Sequence, residues 1–326
     1  MYENIITHND FDGVVSAALC SFAWKLETIY FTGPSSISRA EVSISDRDIV
    51  CDLPYPLECG LWFDHHEGNR DELAYRNINP ETIPGRFRLE PSCARVIYQY
   101  LLDQNLRMPD FFSRLVNETD IIDSFNYTSI EGWRQETPGK IIDNSIKVRH
   151  DSSKEKNQYL RQLVFWLRDE PYENVAQKPL VQELFEKYAV EEQDMLRIIG
   201  QSCYFTDSDV NHEIIVIDLT HYNRRPHIIR NLAFLLHAQA LAVVEIGNIF
   251  ERGVKTNNLT VSMSLSLNLN HAGHGKSIGE IMRQLNIGDG HAGAAAGTLF
   301  CNSKQDMLKQ KQMLIENIFR IWSTQS

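Results

Sequence analysis

The stretch THNDFDG, residues 7–13, follows the short apolar run Ile5-Ile6. Its His8, Asp10 and Asp12 stand at alternate positions, which on an extended chain places one imidazole and two carboxylates on the same side of a strand end. Like charges set so close repel, and that cost calls for a compensating cation. After Gly13 the apolar positions Val14, Ala18, Phe22 and Leu26 recur every four residues, so the opening reads as strand, sharp turn, helix. TIYFTGP (28–34) reads as a second strand. RDIVCDLPYP (47–56) and GLWFDHHEGN (60–69) read as two more, each a short apolar run that stops at acidic residues and then at Pro or Gly. Strands alternating with helices predict a mostly parallel sheet, in which ligands gather outside the carboxyl ends of the strands. Asp10, Asp52 and Asp64 all lie at such ends.

The chain has 326 residues, 43% of them hydrophobic and 23% charged, enough for two domains with their own cores. No apolar stretch approaches the roughly 18 residues that span a bilayer, and the N-terminus lacks the pattern of a signal peptide, so a cytoplasmic protein is expected. Cys20, Cys51, Cys59, Cys93, Cys203 and Cys301 are scattered without CxxC spacing and are expected to be reduced and structural. With 32 basic and 43 acidic side chains the formal charge is −11, which argues against binding a long duplex. A short anionic ligand is compatible with it, because bound metal reverses the sign of the field in a pocket.

Beyond the polar RHDSSKEKNQ (149–158), helical patterns carry Leu160, Leu163, Val164 and Leu167, then Leu180, Val181, Leu184 and Tyr188, as connecting helices between two lobes. From about Val210 the rhythm restarts. EIIVIDL (213–219) is expected as a strand and IIRNLAFLLHAQA (228–240) as a helix. ALAVVEIGNIF (240–250) and LTVSMSLSL (259–267) are expected as strands around the turn-like RGVKTNN (252–258), and Met307, Met313, Leu314 and Ile318 mark a last helix.

Carboxylates at several strand ends cost repulsion and desolvation unless something cationic compensates. His8, Asp10, Asp12, Asp52, Asp64, His65 and His66 offer oxygen and imidazole donors together, a set that suits Mn²⁺ better than Ca²⁺ or a thiolate-rich zinc site. The donors outnumber the needs of one ion, and a two-ion centre suits phosphoryl transfer.

At these residues the sequence resembles the DHH phosphoesterase superfamily, in particular RecJ-like and nanoRNase-like members with the DHH-associated C-terminal domain. THNDFDG resembles motif I, CDLP (51–54) motif II, FDHHEGN (63–69) motif III and NETDIIDSF (117–125) motif IV, in the family order. GDGHAGAAAG (288–297) resembles the glycine-rich signature of the second domain. The resemblance implies an α/β fold of two lobes: a mostly parallel sheet flanked by helices in residues 1–190, and a smaller α/β substrate-binding domain in 205–326, joined by a helical linker. It implies two Mn²⁺ ions, with Mg²⁺ or Co²⁺ as substitutes. His8 and Asp10 would hold one ion, Asp12 and His65 the other, and Asp52 would bridge them. Asp120 and Asp123 compete for the acid of motif IV, with Asp123 favoured. Asp64 would orient a histidine, and His66 would face the substrate phosphate or donate to the leaving oxygen.

The glycine-rich signature has a physical reading of its own. Gly288, Gly290 and Gly293 let backbone N–H groups approach an anion, the alanines that follow would start a helix whose N-terminus favours phosphate, and His291 adds a donor. Gly290, His291 and Gly293 are therefore the expected substrate-binding residues. Many relatives carry an arginine in the preceding strand, where SMSLSL places Ser266. His271, His274, Lys276, Arg224, Arg225 and Arg230 are the cations that stand in reserve.

The expected activity is Mn²⁺-dependent hydrolysis of short linear oligonucleotides or dinucleotides, in a cleft between the lobes. Cyclic dinucleotides, adenosine bisphosphate and polyphosphate are the alternative substrates of the same superfamily, and a non-catalytic nucleotide sensor is the alternative of another class. No membrane partner and no long duplex are expected, and a homodimer is allowed.

Overall fold

The computed structural model describes residues 1–270 and 274–325. These form two compact units, one of residues 1–127 and 131–189, the other of residues 128–130 and 190–326. The helix Pro179–Ser202 carries the chain from the first into the second. No helix among the described residues is long and apolar enough to cross a membrane.

The first unit is built on five strands, β1 (Asn4–His8), β2 (Thr28–Thr32), β3 (Asp48–Cys51), β4 (Leu61–Asp64) and β5 (Gly85–Phe87), all parallel in the order β2-β1-β3-β4-β5. Both faces are covered, which is why the strands read as continuous apolar runs rather than as an alternation. Ile5, Ile49, Leu61 and Phe63 pack on one side with Val14, Val15 and Leu19 of the helix Phe11–Trp24. On the other side Ile6, Val50 and Trp62 meet Ile37, Leu73 and Phe87. Trp62 stacks on Phe87 with ring centres 5.6 Å apart, and its indole N–H donates to the Leu53 carbonyl at 2.9 Å. The strand order reverses between β1 and β3. The chain leaves β1 for β2 on one side and returns past it to β3 on the other, so the carboxyl ends of β1 and β3 flank a topological switch point.

The second unit carries a six-stranded sheet in the order β10-β11-β9-β8-β7-β6, formed by β6 (Cys203–Tyr204), β7 (Ile214–Asp218), β8 (Ala242–Glu251), β9 (Val254–Leu265), β10 (Gly288–Gly290) and β11 (Ala294–Leu299). Only β7 and β8 pair in parallel. Val244, Ile246, Val261 and Met263 bury one face under Ile281 of the helix Ile278–Gln284 and under Leu314, Ile318 and Trp322 of the helix Lys304–Thr324.

Three sequence expectations fail here. IIRNLAFLLHAQA is not one helix but a 3₁₀ turn, Arg230–Leu232, and a single helical turn, Ala233–Leu236. His237 leaves helical geometry to set its ring 3.4 Å from Cys203 Sγ and edge-on to Phe205, a tertiary demand that overrides local propensity. RGVKTNN is a turn only at Arg252-Gly253, where φ of +50° and +80° matches the twist of a tight hairpin, so β9 begins at Val254. The alanines of GDGHAGAAAG start no helix. They are β11, with Ala295 buried and Ala294 and Ala296 exposed, the alternation of a strand with one open face.

Candidate metal centre

Each acidic motif ends a strand or begins or ends a helix, but not quite as the alternation of THNDFDG suggests. Only His8 belongs to β1. Asp10 is the N-cap of the helix Phe11–Trp24, where its Oδ1 accepts from Gly13 N at 2.9 Å, and Asp12 lies in the first helical turn. The helix thus begins two residues before Gly13. That glycine is required by close approach: a Cβ there would fall 2.3 Å from the His8 carbonyl oxygen.

Asp12 is buried, and both of its oxygens accept backbone N–H groups at the start of the helix Cys93–Asp103, Oδ2 from Cys93 at 2.7 Å and Oδ1 from Ala94 at 2.9 Å. A helix N-terminus carries partial positive charge, so it offsets part of the cost of burying the carboxylate. Asp52 follows β3 at φ +57°, a left-handed conformation that Asp tolerates better than most residues. Its Oδ2 lies 3.6 Å from His8 Nδ1, and its Oδ1 lies 3.7 Å from both His65 Nε2 and His66 Nδ1. His8 Nδ1 is also 2.5 Å from Asp10 Oδ2.

His65 has its orientation fixed by the chain. Its Nδ1 donates to the Glu90 carbonyl at 2.9 Å, because a carbonyl can only accept, and this leaves Nε2 as the nitrogen that could hold an ion. That Nε2 stands 3.7 Å from Asp12 Oδ2 and 3.4 Å from Asp123 Oδ2. Asp123, the last residue of the helix Asp110–Asp123, therefore reaches the cluster. Asp120 does not: it accepts from Arg95 Nε at 2.8 Å and Ser92 Oγ at 2.6 Å, a clasp between two helices. Asp64 is fully buried and accepts from His66 Nδ1 at 2.8 Å and Asn69 Nδ2 at 2.7 Å, so it braces His66.

The donors group as His8, Asp10 and Asp52, as Asp12, His65 and Asp123, and as Asp52, His65 and His66, each set with ligand atoms within 4.8 Å of one another. Asp52 Oδ2 and His65 Nε2 are buried without a hydrogen-bond partner, which an ion between them would provide. The residues fit a pair of divalent ions. Protonation tells the same story. Burial alone would lower His8 and His65, but Asp10 and Asp52 beside the first, and Asp52, Asp12 and Asp123 around the second, hold both imidazoles up at about 11. Burial, and then Asp52, pushes Asp12 up to about 7, while burial with Asp12 and Asp52 pushes Asp123 well above the carboxylate range. Burial would raise Asp52 too, yet the histidines hold it low. The cluster demands positive charge.

The second unit gives the glycine-rich signature another shape. Residues 288–299 form a hairpin of β10 and β11, and the carbonyls of His291 and Ala292 at its tip accept from Gly279 and Ile278. Gly290, at φ +157°, has Ala295 Cα 2.4 Å from where its Cβ would be, so its bareness serves packing. Gly293 has open space around it, and His291 is exposed. Ser266 is fully buried. Of the reserve cations, Lys276 is engaged by the Trp322 carbonyl, 2.9 Å away, and Arg225 pairs with Glu245 at 3.2 Å. Arg224 is exposed, His274 Nδ1 accepts from the Lys276 amide at 3.1 Å, and His271 lies outside the described residues. Arg230, half-buried, donates Nε to Ser264 Oγ at 2.7 Å beside exposed Ala294, the partner of Ser264 across β9 and β11. What the sequence does not signal are the long-range supports: Glu90 on His65 and the Cys93 and Ala94 amides on Asp12.

No protein-family model and no curated protein matches the chain. Solved structures do. PggH, a pGpG-specific phosphodiesterase from Vibrio cholerae, matches with a TM-score of 0.69 and 21% identity over 98% of this chain and 99% of its own. The DHH domain of a protein assigned to a ribosomal-protein family matches with a TM-score of 0.62 and 12% identity, over 100% and 87%. RecJ from Thermus thermophilus, in complex with Mn²⁺, matches with a TM-score of 0.55 and 15% identity, over 98% of this chain and 52% of that one. These matches, with the order of its motifs, give the chain the fold that these DHH-domain structures share.

Proposed function

We propose that the protein is a metal-dependent phosphodiesterase that hydrolyses linear dinucleotides and other very short oligonucleotides. The observation that carries this reading is the convergence of six donors, His8, Asp10, Asp12, Asp52, His65 and Asp123, around two buried ligand atoms that lack a protein partner. Two divalent ions held there, Mn²⁺ by the imidazole and carboxylate chemistry of the donors, would supply charge neutralisation and activation of a water.

The chain's own residues complete the task. Asp64, fixed by Asn69, accepts the Nδ1 proton of His66, which directs the ring and raises its pKa against the effect of burial. His66 then gives a proton from Nε2 to the leaving oxygen. In the second unit, Arg230 and the exposed His291 and Gly293 are the groups that would take a phosphate, and Gly290 shapes the hairpin that carries His291 and Gly293. The likeness to a pGpG-specific phosphodiesterase over nearly the whole of both chains supports a dinucleotide substrate.

The test is a hydrolysis panel with Mn²⁺: pGpG and other dinucleotides, longer oligonucleotides, cyclic dinucleotides, adenosine bisphosphate and polyphosphate. Preference for linear dinucleotides is expected. Preference for another member of the panel replaces the substrate, and turnover of none overturns the enzyme reading in favour of a nucleotide sensor.

A further inference from the structure

Lys156 lies at the fourth position of the helix Ser153–Asp169, whose N-cap Ser152 accepts from Glu155 N. That helix packs against the helix Phe11–Trp24, and since the two C-terminal ends meet at Arg168 and Ser21, they run in the same direction. Near their far ends Arg168 Nη1 donates to Ser21 Oγ at 3.3 Å, and at their near ends Lys156 lies in the field of Asp10. From Lys156 to Arg168 and from Asp10 to Ser21 the helices rise by nearly equal amounts, about 17 Å at about 1.5 Å per residue. Lys156 is therefore level with the carboxylate cluster at the end of β1.

Its surroundings are not those of a solvated surface lysine such as Lys154, which is exposed on the same turn. Lys156 is half-buried, and its ammonium has no hydrogen-bond or ion-pair partner among the described residues. Taking an ammonium out of water without a partner is costly, and burial lowers its pKa against the pull of Asp10. Asp10 does not need it, since His8 Nδ1 already lies 2.5 Å from Asp10 Oδ2.

The balance of charge shows what is missing. If two divalent ions are held, Asp10, Asp12, Asp52 and Asp123 would balance them and the Asp64–His66 pair would be neutral, so no surplus positive charge would remain for an anionic substrate, in a chain whose net charge is −11. One further fixed cation beside the ions would match one phosphodiester anion.

We infer that Lys156 is a substrate-binding residue whose ammonium takes a non-bridging oxygen of the phosphate that is cleaved. The inference rests on the phosphodiesterase reading, but its test does not depend on turnover. Lys156→Met keeps the apolar stem and removes the charge, and Lys156→Arg restores a cation. For each Mn²⁺-loaded protein, bound Mn²⁺ is measured by elemental analysis, the Kd of inorganic phosphate by calorimetry, and KM with pGpG. Lys156→Met is expected to keep its Mn²⁺, to bind phosphate at least about tenfold more weakly and to raise KM by a similar factor, with Lys156→Arg recovering most of the loss. Phosphate binding as tight as that of the unaltered protein overturns the inference. So does a parallel loss of Mn²⁺, which would mean that Lys156 acts on Asp10 and not on substrate. If the unaltered protein hydrolyses nothing while its phosphate binding still depends on Lys156, the proposed function fails and this inference stands.

Discussion

His65 Nε2 faces Asp52 Oδ1 across 3.7 Å, and the opposite nitrogen of the same ring is tied to the Glu90 carbonyl. The separation is too wide for a hydrogen bond, and burial keeps Nε2 from finding another partner among the protein groups. Two ligand atoms held apart and aimed at one point are what a cation site looks like before protein groups close on anything.

The first prediction uses the unusual backbone of Asp52. Asn tolerates φ +57° nearly as well as Asp, so Asp52→Asn removes the charge and leaves the turn after β3 intact. Bound Mn²⁺ and kcat/KM should each fall by more than about a hundredfold, since losing a ligand exceeds the cost of losing a supporting group. The melting temperature of the metal-free protein should fall as well, because protonated His8 and His65 lose a counter-charge, but the protein should still unfold in a cooperative transition. Elemental analysis and thermal unfolding on one preparation decide it, and full Mn²⁺ occupancy would remove Asp52 from the centre.

Motif IV offers a contrast between two acids one helical turn apart. Asp123→Asn should abolish activity and weaken Mn²⁺ binding without destabilising the metal-free fold, because a crowded carboxylate has been relieved. Asp120→Asn should keep Mn²⁺ but lose about 1.5–3 kcal/mol of stability, the value of charge-assisted bonds from Arg95. Chemical denaturation alongside metal content separates them, and the reverse ranking would make Asp120 the ligand.

Protonation makes the centre sensitive to pH. Asp12 holds its proton to about 7 when folded, against about 4 unfolded, so stability of the metal-free protein falls as pH rises through that window. His8 and His65, held at about 11 against about 6.5 unfolded, continue the loss above neutrality. Asp52, with its pKa lowered, works the other way, and its contribution is lost only as the solution becomes strongly acidic. Mn²⁺ must displace the protons on the imidazoles and on Asp12, so the gain in melting temperature on adding Mn²⁺ should be larger at about pH 8.5 than at about pH 6. A gain that is flat or shrinks with pH contradicts the protonation pattern.

For the second unit, His291→Ala should keep its Mn²⁺ and lose roughly ten- to a hundredfold in kcat/KM on dinucleotides, the worth of one charge-assisted donor. A small generic phosphodiester should be affected far less. Equal losses on both substrates would place His291 at the reacting centre or in the fold, and no loss on either would leave the hairpin to packing alone.

Much of the centre is legible because the strand ends punctuate the sequence. Ile5-Ile6, DIVC and LWFD each stop at an acid, and a parallel sheet brings such ends together. Asp12 is legible as a donor but not in its setting, since the amides that hold it come from residues 93 and 94, about eighty positions away. Lys156 carries no local signal at all. Its significance depends on one helix lying level with another. The alanines of β11 mislead for a different reason: Ala has high helix propensity, and only pairing with β9 makes three in a row extended.

The grip of Asp12 on the start of the helix Cys93–Asp103 bears on the order in which the molecule is assembled. Backbone amides offset part of the cost of burying Asp12, and protons on His8 and His65 offset the charge of the acids beside them. The polypeptide can therefore reach its native state with no ion present. On the proposed function, metal would then be loaded onto a finished site, so that ion supply would govern how much of the folded protein is active and not how much of it folds.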